Sequence, residues 1–588
     1  MTAASPAAAA LAFLVSLALT LAAERVAPRL GLVARPSADR WHRRSVPLLG
    51  GVAIVTATLG VALASAAGDR RLWGLALGGA VIAAVGLVDD VRALKPQAKL
   101  LAQLLVAAGL LHFGFALSLT GFRAVDTLVT VFWIVGLTNA FNLLDNMDGL
   151  AATIALVAGL FRWLFFHWEG DVAGALAAAA FVGAVGGFLV RNAPPARIFM
   201  GDAGSLFLGF FLAGLSAGPG SSAYSRGLAG VLVIPVLLVL IPIFDTAFVT
   251  VTRLLSGRSP AVGGRDHTSH RLVAVGLSER QTVLFLGAVS AAGGGVAVLS
   301  YRAGLSYTVV LLALLVLGLV LLGVHLSRAR VVHSVDEGAP GTVLRLLADF
   351  QYKRQAATLL LDACLIPLAY YAAYVIRFEE GLPAALAQFY ASLPVVLLVQ
   401  LAALGSFGLY RGVWRFTSIA DVVRIAKATA AGAMASVVVL VYTERFAGFS
   451  RTVFVLDWVL LLLLIAGSRV SFRLFAELFR GRPESFRRVL VYGAGAGGEL
   501  VVRELLNNPD LERMPVGFVD DDRTKHRTRI HGLPVFGGGE ELERVIREQR
   551  VEEVIVSSSK IGGSVLESAR ETCARCGVPL RRAALRLE

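Results

Sequence analysis

The sequence predicts a polytopic α-helical membrane protein, with about eleven plus four transmembrane helices and a C-terminal cytoplasmic α/β Rossmann-like domain. Three observations predict it. Apolar runs of about 20 residues, enough to cross a bilayer as a helix, recur along most of the 588-residue chain. Only 16% of residues are charged and mean hydropathy is +0.72, whereas a soluble domain is typically ~25% charged. From Arg487 onward the pattern changes to short apolar strands alternating with polar helices, which predicts a parallel, doubly wound sheet.

The first run, "SPAAAALAFLVSLALTLAAER", has no basic residue before Arg25. A signal peptide has a basic leading region, so this reads as a first span with its N-terminus outside. Spans centre near residues 15, 57, 81, 108, 133, 158, 181, 212, 240, 290 and 315. Parity then places segments 25–47, 89–99, 139–149, 191–205 and 253–280 on one side. The first holds Arg25, Arg29, Arg35, Arg40, Arg43 and Arg44, whereas the opposite loops "HWEGDV" and "SAGPGSSAYS" carry no Lys or Arg. Lys and Arg concentrate in cytoplasmic loops, which predicts that this face lies in the cytoplasm.

Residues 1–325 form the first domain on this reading, and the polar stretch 326–355 is a linker. Residues 356–480 form a four-helix transmembrane domain with spans near 366, 398, 434 and 461, and 485–588 form the soluble domain. The formal charge of +14 suits anionic partners. In a membrane protein those are phosphate-bearing substrates and lipid head groups rather than nucleic acid. Three cysteines are too few for a disulfide framework. Cys573 and Cys576 make a lone CxxC without the second pair of ligands that structural zinc needs.

Four polar groups collect on the predicted cytoplasmic face: Asp89 and Asp90 in "GLVDD", Asn142, Asp145 and Asp148 in "NAFNLLDNMDGL", Asp202 in "FMGDAGS", and Arg265, His267 and His270 in "GGRDHTSHRL". Singly, each reads as a helix cap, a turn or a loop residue. Together, five carboxylates and two imidazoles on one membrane face suit phosphoryl transfer. Mg²⁺ binds one or two carboxylates plus substrate phosphates, and basic side chains stabilise the remaining charge. Mn²⁺ is the alternative metal.

"VPLLGGVAI", "GLVDD", "NAFNLLDNMDGL", "FMGDAGS" and "DHTSHRL" occur in that order. Over residues 1–325 the chain resembles the polyprenyl-phosphate N-acetylhexosamine-1-phosphate transferases. The resemblance implies transfer of a sugar-1-phosphate from a UDP-sugar to polyprenyl (undecaprenyl) phosphate, with release of UMP, at the start of cell-envelope glycan synthesis. It implies a bacterial inner-membrane enzyme in which Asp89 and Asp90 sit at the lipid-phosphate end as metal neighbour or proton acceptor, and Asp202, with Asp89 beside it, is a Mg²⁺ ligand. Asn142, Asp145, Asn146 and Asp148 would line the nucleotide pocket. Arg265, His267 and His270 would bind the diphosphate or sugar, and Lys99 and Gln103 would face the lipid phosphate. Two departures bear on the sugar: Asn146 stands where many relatives have Gly, and the histidine motif is "HTSH" rather than a denser cluster.

In the second half, "RVLVYGAGAGGELVVREL" is strand, glycine turn and helix. Gly493, Gly495 and Gly498 make GxGxxG, which lets a backbone approach a pyrophosphate, and Asp520 ends the next strand where a ribose-binding acid belongs. NAD or a nucleotide-sugar is the expected ligand, with an empty or regulatory pocket as the alternative. This half resembles the membrane and first Rossmann parts of the nucleotide-sugar 4,6-dehydratases. In those enzymes a catalytic Rossmann domain with Tyr-x-x-x-Lys follows, and here no Tyr follows Tyr492. The half therefore reads as a regulatory or docking module, with other glycan-assembly enzymes or a second copy of the chain as partners. Two other classes compete: a cation-coupled transporter and an assembly scaffold for glycan enzymes. A transporter places its acids at the bilayer midplane on paired repeats, whereas here they sit at span ends.

Overall fold

The computed structural model describes residues 4–34, 45–66, 68–218, 228–259, 264, 266–303, 305–327, 351–410, 419–445, 448–478, 486–508, 511–557 and 562–583. Most of the predicted linker lies outside them. The chain divides into two compact units, Met1–Phe479 and Arg480–Glu588.

In the first unit the helices are α1 (Ala4–Val26), α2 (Gly50–Ala66), α3 (Arg70–Val91), α4 (Pro96–His112), α5 (Arg123–Leu144), α6 (Leu150–Glu169), α7 (Val172–Asn192) and α8 (Gly201–Ala217). They continue as α9 (Leu228–Leu238), α10 (Leu240–Leu255), α11 (Thr268–Val275), α12 (Glu279–Ala303) and α13 (Leu305–Leu326). A minimal hairpin, β1 (Val33–Ala34) with β2 (Val46–Pro47), precedes α2. The second membrane bundle is α14 (Gln351–Phe378), α15 (Leu382–Ser406), α16 (Ile419–Glu444) and α17 (Arg451–Leu478). Helix α14 therefore begins inside the stretch read as linker.

Every expected span has helix beneath it, but eleven helices, rather than fifteen, are long and apolar enough among the described residues to cross a membrane. Four fall short for identifiable reasons. Helices α2, α4 and α8 have 17 residues each, about 26 Å at 1.5 Å per residue, against a hydrocarbon core of ~30 Å. The span near residue 240 is broken at Val239, whose φ of −114° and ψ of 33° leave the helical range. Pro242 lies three residues on and lacks the N–H that would bond Leu238 O, so the helix cannot run through.

Glycine lets the bundle close. A Cβ on Gly183 or Gly187 of α7 would lie inside van der Waals contact with the α1 backbone at Ala9 or Phe13, and Ser16 Oγ donates to Ala184 O at 2.6 Å in the same seam. Small residues bring membrane helices together because lipid supplies no hydrophobic drive. Of the first thirteen helices all but α9 share one buried core, from Ala8 to Leu326, and α9 packs in a separate cluster with Phe165 and Ala297. The second bundle has its own core around Tyr370, Tyr374, Phe389 and Leu461, and Tyr307 and Val310 of α13 pack against it.

The second unit is a parallel sheet of β3 (Arg487–Tyr492), β4 (Arg513–Val519), β7 (Glu553–Val556) and β8 (Leu580–Arg582), in the order β4-β3-β7-β8. Helices α18 (Ala496–Asn507), α19 (Leu542–Glu548) and α20 (Gly563–Arg575) connect its strands. The predicted strand "LPVFG" joins this sheet only through an isolated parallel bridge, Val535 to Phe518 of β4, with Phe536 N donating to Phe518 O at 2.9 Å. Only Leu533–Pro534 (β6) is strand, paired antiparallel with Arg529–Ile530 (β5), and Pro534 has no N–H to extend a ladder.

Candidate active site

Asp89 and Asp90 occupy the last turn of α3, and Asp202 the first turn of α8. Gly86 allows these ends to meet, because a Cβ there would strike the Asp202 backbone. Asp90 closes the junction. Its carboxylate accepts from Asp202 N at 2.8 Å and Ala203 N at 3.1 Å, satisfying N–H groups that a helix start leaves unpaired. Gly201 turns the chain into α8 with φ +67°, and a side chain there would collide with Asp90.

Asp89 accepts from Leu94 N at 2.6 Å through Oδ1. Its Oδ2 meets Lys99 Nζ at 2.6 Å, and the same Nζ lies 3.2 Å from Asp202 Oδ2. Asn142 of α5 donates to Asp202 Oδ1 and to Ser205 Oγ, each at 3.0 Å. Three helices and one ammonium thus fix Asp202. Gln103 is paired elsewhere: it exchanges hydrogen bonds with Asn139 at 3.2 and 2.7 Å.

The α5–α6 turn supplies the next wall. Gly149, at φ +72°, enters α6 and donates to Asn192 Oδ1 at 3.1 Å, and Asp148 Oδ2 accepts from Ala196 N at 2.7 Å. Asn146 Oδ1 accepts from Ser269 Oγ at 2.6 Å. The two departures from the motif pattern, one in each loop, are therefore joined to each other.

His267 and His270 open α11 with ring centroids 6.2 Å apart. Asp245 of α10 meets the start of α11: its Oδ2 lies 2.7 Å from His267 Nδ1, and its Oδ1 accepts from Thr268 N at 2.7 Å. Asp266 holds the loop with a buried pair to Arg253, at 2.8 Å from Nε and 2.5 Å from Nη2. Burial raises the Asp266 carboxyl, but the hydrogen bonds and charge of Arg253 outweigh it and hold the pKa at about 2. Arg265 lies outside the described residues.

These elements enclose a cavity of about 460 Å³. Asp89, Asp90, Asn142, Asp145, Asn146, Asp148, Asp202, His267 and His270 all line it, joined by Asn192 and Glu279, which the sequence reading missed. Lys99 joins the group through its two carboxylate contacts and Gln103 does not. Among the described residues no cluster of three or more His, Cys, Asp or Glu side chains is gathered to hold a metal ion.

In the second unit, Gly493 turns with φ +101° after β3 and donates to Val519 O at 2.7 Å. Gly498 lets α18 start against that turn, since a Cβ there would strike Gly493 O. Gly495 precedes α18 and has open space around it. Asp520 Oδ2 accepts from Ala494 N at 2.6 Å and from Lys525 Nζ at 3.1 Å. Burial acts to raise its pKa, and the Asp522 and Ala494 amides with Lys525 lower it below the usual carboxylate value. The carboxylate is thus tied to the glycine turn itself.

The profile of glycosyl transferase family 4 matches residues 72–218, and that of a CoA-binding domain matches residues 405–559. A Bacillus subtilis protein described as a probable undecaprenyl-phosphate N-acetylglucosaminyl 1-phosphate transferase is 35% identical over 292 residues, 47% of this chain and 80% of that protein. The chain belongs to glycosyl transferase family 4. The family's match spans α3 to α8, the helices that carry Asp89, Lys99, Asn142 and Asp202. A second member, the decaprenyl-phosphate N-acetylglucosaminephosphotransferase of Mycobacterium tuberculosis, is 32% identical and covers 44% of this chain and 74% of its own. A probable polysaccharide biosynthesis protein of Bacillus subtilis, EpsC, is 33% identical over 175 residues, which is 30% of this chain and 29% of EpsC. This family 4 transferase is thus an enzyme of the phosphosugar-transferring class and a multi-pass membrane protein.

Proposed function

We propose that the chain transfers N-acetylhexosamine 1-phosphate from a UDP-sugar to polyprenyl phosphate, at the cytoplasmic face of the inner membrane. One observation carries this reading. Asp89 and Asp202, from different helices, converge on the same ammonium at the wall of a cavity that His267 and His270 also line. Phosphoryl transfer asks for positioned anion and cation partners and little covalent chemistry from the protein.

A phosphate oxygen of the lipid attacks the sugar-linked phosphorus of the donor. The new P–O bond leaves a lipid-linked sugar diphosphate, and the broken one releases UMP with its electron pair. Lys99, freed from one carboxylate, pairs with the lipid phosphate. The α5–α6 turn, with Asn142, Asp145, Asn146 and Asp148, receives the nucleotide. His267 and His270 hold the donor diphosphate from the other wall, with Arg265 as a further cation. Asp89 and Asp202 fit Mg²⁺, because both already touch one cation and because Mg²⁺ needs only one or two carboxylates beside substrate phosphates and water. Bound there, Mg²⁺ would neutralise charge on the phosphate oxygens.

The second bundle and the Rossmann-like unit serve as a regulatory or docking module, with the glycine turn before α18 as the nucleotide-facing surface. The transfer is tested by incubating purified protein with undecaprenyl phosphate, Mg²⁺ and single UDP-N-acetylhexosamines, and weighing the extracted lipid by mass spectrometry. A lipid heavier by one N-acetylhexosamine phosphate supports the reading and names the sugar class. A lipid heavier by the sugar alone, or unchanged with every donor, contradicts it.

A further inference from the structure

Asp245 is a carboxylate behind the cavity wall that no motif reading predicted. It is 1% exposed, in the apolar helix α10. A carboxylate at such depth is costly and marks function by default. Both of its oxygens are engaged on one short segment: Oδ1 takes the Thr268 N–H at the start of α11, and Oδ2 takes His267 Nδ1. His267 lines the cavity, and Asp245 does not.

A carboxylate facing Nδ1 requires a proton on that nitrogen, so the ring's tautomer and orientation are set from behind. Nε2, across the ring, is the nitrogen left for the cavity. When Nε2 also carries a proton, the buried carboxylate compensates the imidazolium, which can then make a charge-assisted hydrogen bond to an anionic oxygen. The geometry points to Asp245 as a positioning residue that holds His267 as a phosphate-directed donor. This rests on the proposed transferase reading for the identity of the anion, the diphosphate of the UDP-sugar.

The rival role is structural: Asp245 closes the α11 N-terminus through Thr268, and the imidazole contact is incidental. Asp245→Asn separates the two, because an amide oxygen still accepts the Thr268 N–H while the amide nitrogen cannot accept from Nδ1. The experiment is a double-mutant cycle in the full chain, with Asp245→Asn, His267→Gln and the pair. It reads kcat/KM for UDP-N-acetylglucosamine, KM for undecaprenyl phosphate, and the thermal midpoint. Carboxylates behind a functional histidine elsewhere contribute roughly 10- to 100-fold, so Asp245→Asn lowers kcat/KM for the donor by about that factor and leaves KM for the lipid unchanged. In the His267→Gln background it has no further effect, and the thermal midpoint matches wild type. Losses that multiply, a donor effect no larger than the lipid effect, or a lowered midpoint overturn the inference. If the wild type releases no UMP, the transferase reading fails, and the same cycle is read in the Kd for UDP. There the same non-additivity sustains the histidine–carboxylate pair, and additive losses or no UDP binding by the wild type overturn it.

Discussion

Lys99 ties Asp89 to Asp202, with Nζ 2.6 Å from the first carboxylate and 3.2 Å from the second. The two acids belong to α3 and α8, and Lys99 comes from the first turn of α4, so one side chain sets the spacing of three helix ends. Lys99→Met removes the ammonium that spaces the two carboxylates and that, on the proposed mechanism, meets the lipid phosphate. Because displacement by ~1 Å at a catalytic centre costs about 100-fold, turnover falls by roughly that factor, and Lys99→Arg recovers part of it. Steady-state kinetics on the three proteins, with thermal midpoints to exclude unfolding, checks this.

The glycines of "VPLLGGVAI" act by closeness. Gly50 N donates to Phe199 O at 3.0 Å and Gly51 N to Met200 O at 2.9 Å, and a Cβ on Gly51 would strike Gly204 of α8. Overpacking of this kind costs about 1–3 kcal/mol. Gly51→Ala therefore lowers the thermal midpoint, and moving α8 displaces Asp202 and lowers turnover. Gly60→Ala, where nothing lies within 4 Å of the added carbon, changes neither, and the two variants compared by thermal unfolding make the test.

In the second bundle, Arg469 Nη2 meets Asp362 at 2.9 and 2.7 Å, with both residues buried. Removing one partner of a buried pair strands the other and costs about 3–5 kcal/mol. Arg469→Leu lowers the unfolding midpoint in detergent sharply, and adding Asp362→Leu restores most of it. A double variant as unstable as the single one contradicts this account.

Alkaline pH acts on the second unit through Cys573. Burial pushes its thiol up to about 11, with the neighbouring Cys576 adding to the shift, against an ordinary thiol value of ~8.5. A raised pKa means the fold favours the neutral thiol. That stabilisation is fully present below the ordinary value and is lost as pH rises towards 11. Full-length protein therefore resists alkylation at Cys573 at pH 8 and becomes labelled there between about pH 9 and 11. Peptide mass spectrometry after iodoacetamide treatment reads it.

Much of this was legible in the sequence because the signals were local. Apolar length marked the helices, and the glycine turn with its alternating strands marked the parallel sheet of the second unit. What escaped depends on pairing. Asp245 lies inside an apolar run that reads as a span near residue 240, although an ionisable residue within a span is itself the signal. Asn192 and Glu279 sit at helix ends, where polar residues are ordinary, and only packing aims them at the cavity. Gln103 is one turn from Lys99, yet Asn139 captures it, a partner that spacing cannot reveal. Strand β8 is short and basic, "LRR", with none of the apolar pattern that announces a strand.

The measurement that tests the central claim most directly is the identity of the nucleotide released from a UDP-N-acetylhexosamine by purified protein with undecaprenyl phosphate and Mg²⁺, beside Asp202→Asn. The account predicts UMP, dependent on lipid and metal and lost in the variant. UDP in its place, or UMP release that Asp202→Asn leaves unchanged, would contradict it.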